Sequence, residues 1–336
     1  MLLALDDHDS LPRLTCTAVQ PARRIPDLAE DVVHGFAADP RHIPPKYFYD
    51  AHGSALFDRI CDTTEYYPTR AEGYLLDRYA QTIIARVRPD HIVEFGSGTS
   101  RKTRHLLAAC ERQGLPVRYW PFDVCEDMLR CTGQALAAEF PGLRIGALVG
   151  DYTGGLRYLP QLDGRCLYLF LGGTIGNFTD AEAKQFLGEV RERMRQGDAL
   201  LLGVDRVKAP ALLEAAYNDA AGITAEFNLN VLRVLNRELR ADFDLSGFRH
   251  RAVYNVEQAR IEMYLLSERA QEVTIGALGR RYRFGRGEPI LTEISRKFTP
   301  LTLRAMLHEA GLSLEGHFEG GEQLFSLALA RKAHAS

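Results

Sequence analysis

The sequence has no CxxC pair and no HxxxH or HxH spacing. Neither a zinc knuckle nor a histidine-built metal site therefore has its usual ligand spacing, and no metal is expected. Six cysteines (16, 61, 110, 125, 131 and 166) are dispersed over 336 residues. A chain this long needs no disulfide framework, so reduced thiols and a cytoplasmic setting are expected. No apolar run approaches the ~20 residues that span a bilayer. MLLALDDHDS has no basic stretch before its short apolar start, so no signal peptide is expected. A net charge of only −3 gives no support for a nucleic-acid surface. There is no internal repeat and no low-complexity segment.

What is present centres on HIVEFGSGTSRKT, residues 91–103. An apolar run ends in Gly96 and Gly98, and RKTRHLLAAC then reads as a helix with Leu106, Leu107 and Cys110 on one side. Strand, glycine turn and helix form the layout that holds a nucleotide-like ligand at the end of a parallel strand. Glycine lets the backbone come close, and the helix start offers free N–H groups. A tight turn with no ligand is the plainer alternative.

Four further strands follow in alternation with helices: 118–124, a third ending at Asp151, 166–178 and 199–205. Ala71–Val87 reads as the helix before the glycine turn, and 180–195 as a later one with Gly197 just past its end. Alternation stops at 207–297, where one long helical region is followed by strand-like runs that resemble antiparallel pairing. Thr299, Pro300 and Gly311 bound a last helix, and two strands close the chain. Residues 1–45 read as an irregular arm and a short helix from Pro26 to Phe36, and Ser54–Cys61 as another. The expectation is an α/β, doubly wound domain from 71–206 with 298–336. A second, smaller α+β unit, from 1–70 with 207–297, would cover the ligand edge and bind substrate.

Four loops, at 95–100, 123–125, 151–153 and 172–178, fall at the carboxyl ends of parallel strands, where ligands of open α/β sheets sit. Both NAD and S-adenosylmethionine suit such an edge. The turn lacks the third glycine of a dinucleotide fingerprint, and Asp151 beside Tyr152 adds a second acid placed for an adenine. Both features favour the sulfonium cofactor.

PPKYFYD, EYYPTR, EFGSGTSRKT, PFDV, LGGTIGN, AAYNDAAGITAEFNLNVL, RIEMYL and TEISRKF together resemble the histidine Nα-methyltransferases of ergothioneine biosynthesis, from about residue 44 to 320. The resemblance implies a Rossmann-like methyltransferase fold, S-adenosylmethionine as cofactor, and three methylations of the histidine α-amine to hercynine. It implies that Gly96 and Lys102 contact the cofactor, Asp123 the ribose, and Asp151 with Tyr152 the adenine. Tyr66 would line the histidine pocket, Asn177 and Tyr217 would take the carboxylate, and Glu293 and Ser295 the imidazole. Met263 and Tyr49 would wall the pocket, although Met263 also suits plain core packing. Tyr49 would orient the amine or accept its proton during in-line transfer. L-Histidine is the expected partner, with no nucleic acid and no membrane, and the chain is expected to be a monomer. Competing readings are a relative acting on another amino acid such as a tryptophan derivative, a nicotinamide dehydrogenase, and a sensor without turnover.

Overall fold

The computed structural model describes residues 13–333. The expected irregular arm over residues 1–12 lies outside the described residues. The first elements are a strand Leu14–Ala18 (β1), a helix Leu28–Ala37 (α1), a two-residue strand Arg41–His42 (β2) and the helices Ala51–Cys61 (α2) and Tyr67–Val87 (α3). The alternating stretch comprises His91–Phe95 (β3), Arg104–Arg112 (α4), Arg118–Asp123 (β4), Glu126–Glu139 (α5), Arg144–Val149 (β5), Cys166–Phe170 (β6), Asp180–Arg193 (α6) and Ala199–Asp205 (β7). Next come helices Pro210–Ala216 (α7) and Ile223–Leu239 (α8), then strands Phe248–Asn255 (β8), Arg260–Ser267 (β9), Gln271–Ile275 (β10), Arg280–Phe284 (β11) and Pro289–Arg296 (β12). Helix Pro300–Glu309 (α9) and strands Leu312–Glu319 (β13) and Phe325–Lys332 (β14) complete the fold.

The large sheet runs β1-β5-β4-β3-β6-β7-β14-β13. It is parallel from β1 to β7; β14 runs antiparallel to β7, and β13 antiparallel to β14. Strand order reverses at β3, which has β4 on one side and β6 on the other. The glycine turn therefore leaves the sheet at its switch point, where a crevice opens. Strands β3, β6 and β7 are buried along their whole length, as strands covered on both faces must be. One face packs against α3 and α4 through Leu76, Ile83 and Leu107, and the other against α6 and α9 through Phe186, Leu187 and Leu303.

A second sheet, β2-β12-β9-β8, is covered by α1, α2 and α8 around its own core. Phe227, Val231, Leu232 and Leu235 line the buried face of α8, and each contributes about 1.5–3 kcal/mol by leaving water. Strand β12 carries a bulge: Leu291 pairs with Tyr264, but Glu293 rather than Thr292 pairs with Met263. Its buried positions accordingly slip from 290 and 292 to 293 and 295. Directly paired residues share a sheet face, so Glu293 and Ser295 lie beside Met263 and Ile261.

Several expectations need correction. Residues 14–18, placed in the smaller unit, instead extend the large sheet beside β5, because LTCTA supplies β-branched residues to an otherwise open edge. Helix α1 starts after Asp27, whose carboxylate accepts from the Glu30 N–H in a capping box, and not at Pro26. Helix α3 begins a turn early, with Pro68 in its first turn. The long helical region breaks at 217–222, because Asp219 accepts the Ile223 and Thr224 N–H groups and starts α8 afresh. Helix α6 ends at Arg193 with Met194 as its cap, so Gly197 lies beyond the C′ position. Thr299 and Pro300 open α9 as expected, and Gly311 follows it in the left-handed region at φ +74°.

Candidate active site

On the large-sheet side, Gly96 and Gly98 both have positive φ, +68° and +48°, a conformation that side chains other than glycine adopt at a cost. The Gly96 N–H donates to the Phe122 carbonyl at 2.8 Å, and the Gly98 N–H to Asp123 Oδ2 at 3.0 Å. Asp123, at the end of β4, thus faces the turn. A side chain at Gly98 would meet nothing within 4 Å, and one at Gly96 would meet only the Tyr152 ring, at 3.5 Å. The two glycines leave open a cradle bounded by Tyr152. Asp151 Oδ1 accepts from the Thr153 N–H at 2.8 Å, which fixes the turn after β5. The Tyr152 ring packs edge-on against Phe122 and Phe170, and burial pushes its phenol up. An open backbone cradle, acids after the next two strands on one side, β4 and β5, and an aromatic wall suit an adenosyl group.

Two buried carboxylates hold this edge in shape, and neither was expected from the sequence. Glu94, in the middle of β3, accepts from Thr103 Oγ1 at 2.7 Å and from the Tyr119 hydroxyl. Burial pushes it up to about 7, against the pull of those bonds. Glu72, fully buried on α3, pairs with Lys102 and accepts the Gly172 N–H at 2.9 Å. A side chain at Gly203 would lie 1.9 Å from Glu72 Oε1, so β7 gives way to this carboxylate. Glu72 shares the apolar face of α3 with Leu75, Leu76 and Ile83. A lone charge on that stripe was its sequence signal.

The residues expected for the substrate also come together. Tyr66 is 8% exposed and meets Tyr217 edge-on, with ring centroids 6.1 Å apart. The Tyr217 hydroxyl lies 2.8 Å from Ser295 Oγ. Asn177 is half-buried, at the end of a turn (Thr174–Asn177) whose Gly176 packs against β12 close to Ser295 Oγ. Met263, buried in the third core, sits opposite Glu293. Glu293 is 9% exposed; burial pushes its carboxyl up to about 7, and Lys297 pulls the other way. Among the described residues no hydrogen bond or ion pair holds it. A buried acid left free is costly unless a ligand answers it.

Tyr49 joins the two sides. It is 45% exposed, and its ring meets Phe57 and Phe227 edge-on. Desolvation of its hydroxyl, then the charges of Glu293 and Tyr152, push the phenol well above its usual range. It therefore lies within electrostatic reach of both Glu293 and Tyr152. A phenol raised in this way is a poor proton acceptor but keeps its capacity to hydrogen-bond, so of its two expected roles, orientation is the better supported. The preceding turn and Asp50 hold it: Asp50 accepts from the Gly53 N–H and from Asn230 Nδ2, both at 2.8 Å.

Lys297 and His250 were not assigned roles from the sequence. His250 reaches the Tyr217 carbonyl through Nε2 at 2.8 Å while its Nδ1 faces Asn228 Nδ2 at 2.8 Å. The amide can only donate, so Nε2 carries the proton. Burial keeps this ring below its usual range and hence neutral.

A Rossmann-like sheet with an open backbone cradle at its switch point, together with a buried cluster of tyrosines and one free acid, is the layout of a methyltransferase that uses S-adenosylmethionine. Comparison with known proteins narrows the class. The family model of the histidine-specific, SAM-dependent methyltransferases matches residues 28–332, and the chain belongs to that family. It is 50% identical over 285 residues to the histidine N-alpha-methyltransferase of Mycolicibacterium smegmatis, covering 85% of this chain and 88% of that one. The Mycobacterium tuberculosis enzyme of the same name is 46% identical over 305 residues, with 91% and 95% covered. Ergothioneine biosynthesis protein 1 of Neurospora crassa is 33% identical over 235 residues, covering 64% of this chain and 26% of its own.

Proposed function

We propose that the chain methylates the α-amine of L-histidine three times, yielding hercynine for ergothioneine biosynthesis. The observation that carries the choice of substrate is Glu293, an acid buried in a tyrosine-lined pocket with no partner of its own. An imidazole N–H supplies that partner, and a ligand without ring nitrogens leaves the acid unpaired. Ser295 serves the second ring nitrogen. Asn177 and the Tyr217 hydroxyl take the carboxylate, which selects an amino acid over a bare amine. Met263 and Tyr66 close the walls.

S-Adenosylmethionine supplies an electrophilic methyl group on a sulfonium. Gly96, Lys102, Asp123, Asp151 and Tyr152 hold it; the open cradle at Gly96 and Gly98 fits it. The transfer moves a positive charge from sulfur to the amine nitrogen and builds up no negative oxygen, so no oxyanion hole is needed. The work left to the chain is alignment of the amine with the methyl carbon and retention of a free lone pair. A free amino acid amine titrates at about 9, above the roughly 8 of a peptide terminus, so a proton must leave for water before each transfer. Tyr49 orients the amine through its hydroxyl oxygen. Its ring and that of Tyr66 also favour the growing ammonium by cation–π attraction.

In this reading the second sheet, with α1, α2 and α8, forms the substrate-binding unit over the cofactor edge. The protein works as a cytoplasmic monomer. All six cysteines are unpaired, as in a reducing compartment, and among the described residues no helix is long and apolar enough to cross a membrane. Incubation with labelled cofactor and either histidine or tryptophan, followed by mass spectrometry, tests the proposal. Three methyl groups on histidine are expected; preference for tryptophan, or no transfer, refutes it.

A further inference from the structure

Lys297 follows β12 and is completely buried at its side chain. Its ammonium makes three contacts: Asp205 Oδ2 at 2.8 Å, Tyr217 Oη at 2.9 Å and Ser295 Oγ at 2.9 Å. An ammonium has three N–H bonds and no lone pair, so none is left for a ligand. Asp205 ends β7 and is itself held by the Tyr67 hydroxyl at 2.8 Å and by Lys208 at 2.5 Å. Burial alone would pull Lys297 down, but the Asp205 carboxylate more than offsets it and keeps the group charged.

The charged donor constrains the two hydroxyls. Each accepts one bond from Lys297, and they lie 2.8 Å from each other, so one proton sits between them. The hydroxyl that receives this proton has both lone pairs occupied and turns its own O–H outward. The other keeps one lone pair facing out. The pair therefore offers a ligand one donor and one acceptor, never two of a kind. A substrate carboxylate at Tyr217 selects the arrangement in which Tyr217 is the outward donor, and Ser295 is then left as the acceptor.

We propose that Lys297 is a positioning residue that sets the hydrogen-bond polarity of the Tyr217–Ser295 pair, so that carboxylate and ring are recognised as one unit. Bound histidine then presents one N–H to Ser295 and the other to Glu293, so its ring is held as the imidazolium. This rests on the histidine reading above. His250 anchors the same tyrosine at its carbonyl, so polarity rather than placement of Tyr217 is what Lys297 decides.

The test compares the full chain with Lys297→Met. Steady-state kinetics give KM and kcat for histidine, and titration gives the affinity for S-adenosylhomocysteine. Nitrogen NMR of ring-labelled histidine, bound with S-adenosylhomocysteine, reports which ring nitrogens carry protons. The variant is expected to raise KM about tenfold, the effect of losing charge-assisted hydrogen bonds, with kcat within a few-fold and nucleoside affinity unchanged. The ring should move from two protonated nitrogens toward the neutral form, because Ser295 is then free to donate. Unchanged KM with identical ring signals overturns the proposal, as does a matching loss of nucleoside affinity, which marks general damage. Where the single variant does not fold, Asp205→Asn with Lys297→Met removes that charge pair together, Lys208 keeping its bonds to the Tyr67 hydroxyl and the Arg206 carbonyl, and is read in the same way. Histidine turnover by the wild type with no effect of the variant sinks this inference alone; no histidine binding by the wild type sinks the substrate reading with it.

Discussion

The Gly96–Gly98 turn and the Glu293–Ser295 segment are built from different material. The first is made of backbone. Its shape comes from two positive-φ glycines and from N–H groups tied to Phe122 and Asp123, and its buried acids, Glu94 and Glu72, are bonded internally. The second is made of side chains from distant parts of the chain, and its acid is left free. A cradle of satisfied groups suits a ligand common to many enzymes, while an unsatisfied acid discriminates among substrates. Both sides carry a carboxyl raised by burial, but only the second-sheet side leaves its acid without a protein partner and so free for a ligand.

This contrast can be broken experimentally. Glu293→Gln should lower kcat/KM for histidine by about a hundredfold, the upper range for a charged hydrogen bond in a closed site, while S-adenosylhomocysteine affinity stays level. Equal losses on both sides would mean that the acid supports the whole edge. The same variant should reveal the stability given up. The Glu293 carboxyl rises from 4.5 to about 7 on folding. Below about pH 4.5 it is protonated in both states. Between there and about 7 the folded state keeps a proton that the unfolded chain releases, so stability falls as pH rises. The loss reaches up to about 3 kcal/mol above pH 7. Glu94 behaves alike, so the difference between wild type and Glu293→Gln, followed by denaturant unfolding at pH 5 and 8, isolates residue 293. The glutamine variant should gain relative stability at the higher pH; a constant gap would refute a raised acid.

On the other side, Glu72→Gln keeps an acceptor for the Gly172 N–H but removes the charge facing Lys102. Nucleoside affinity measured by calorimetry should fall about tenfold, with KM for histidine little changed. The smallest effect is expected at Tyr49→Phe. If the hydroxyl only orients the amine, the rate falls by less than about tenfold, with partly methylated product accumulating. A loss of a hundredfold or more is the size of general base catalysis and would restore the proton-accepting role.

The same contrast explains what was legible beforehand. The cofactor edge repeats a local rule, strand then glycine turn then helix, so residues 91–103 and the acid at 123 could be placed from spacing alone. Thr299, Pro300 and Gly311 were legible for the same reason: capping chemistry is local. The residues expected for the substrate, 49, 66, 177, 217, 263, 293 and 295, share no spacing, and only resemblance grouped them. What stayed hidden was long-range compensation. Lys297 looks like any lysine after a strand until Asp205 arrives from the large sheet. Glu72 needs Gly203, more than a hundred positions away, to leave it room. Strand β1 was missed because its partner, β5, decides its fate more than its own five residues do.

One extra residue in β12 has a larger reach than its size suggests. Without the Thr292 bulge, the ladder would run on from Leu291–Tyr264, and Glu293 would stand across from Glu262, on the opposite side of the sheet. Selectivity for a heterocycle thus depends on the bulge itself: the same sequence paired without it would encode every side chain and yet turn the acid to the other face. A slip of strand register is a sharper route to a new substrate here than a point change is.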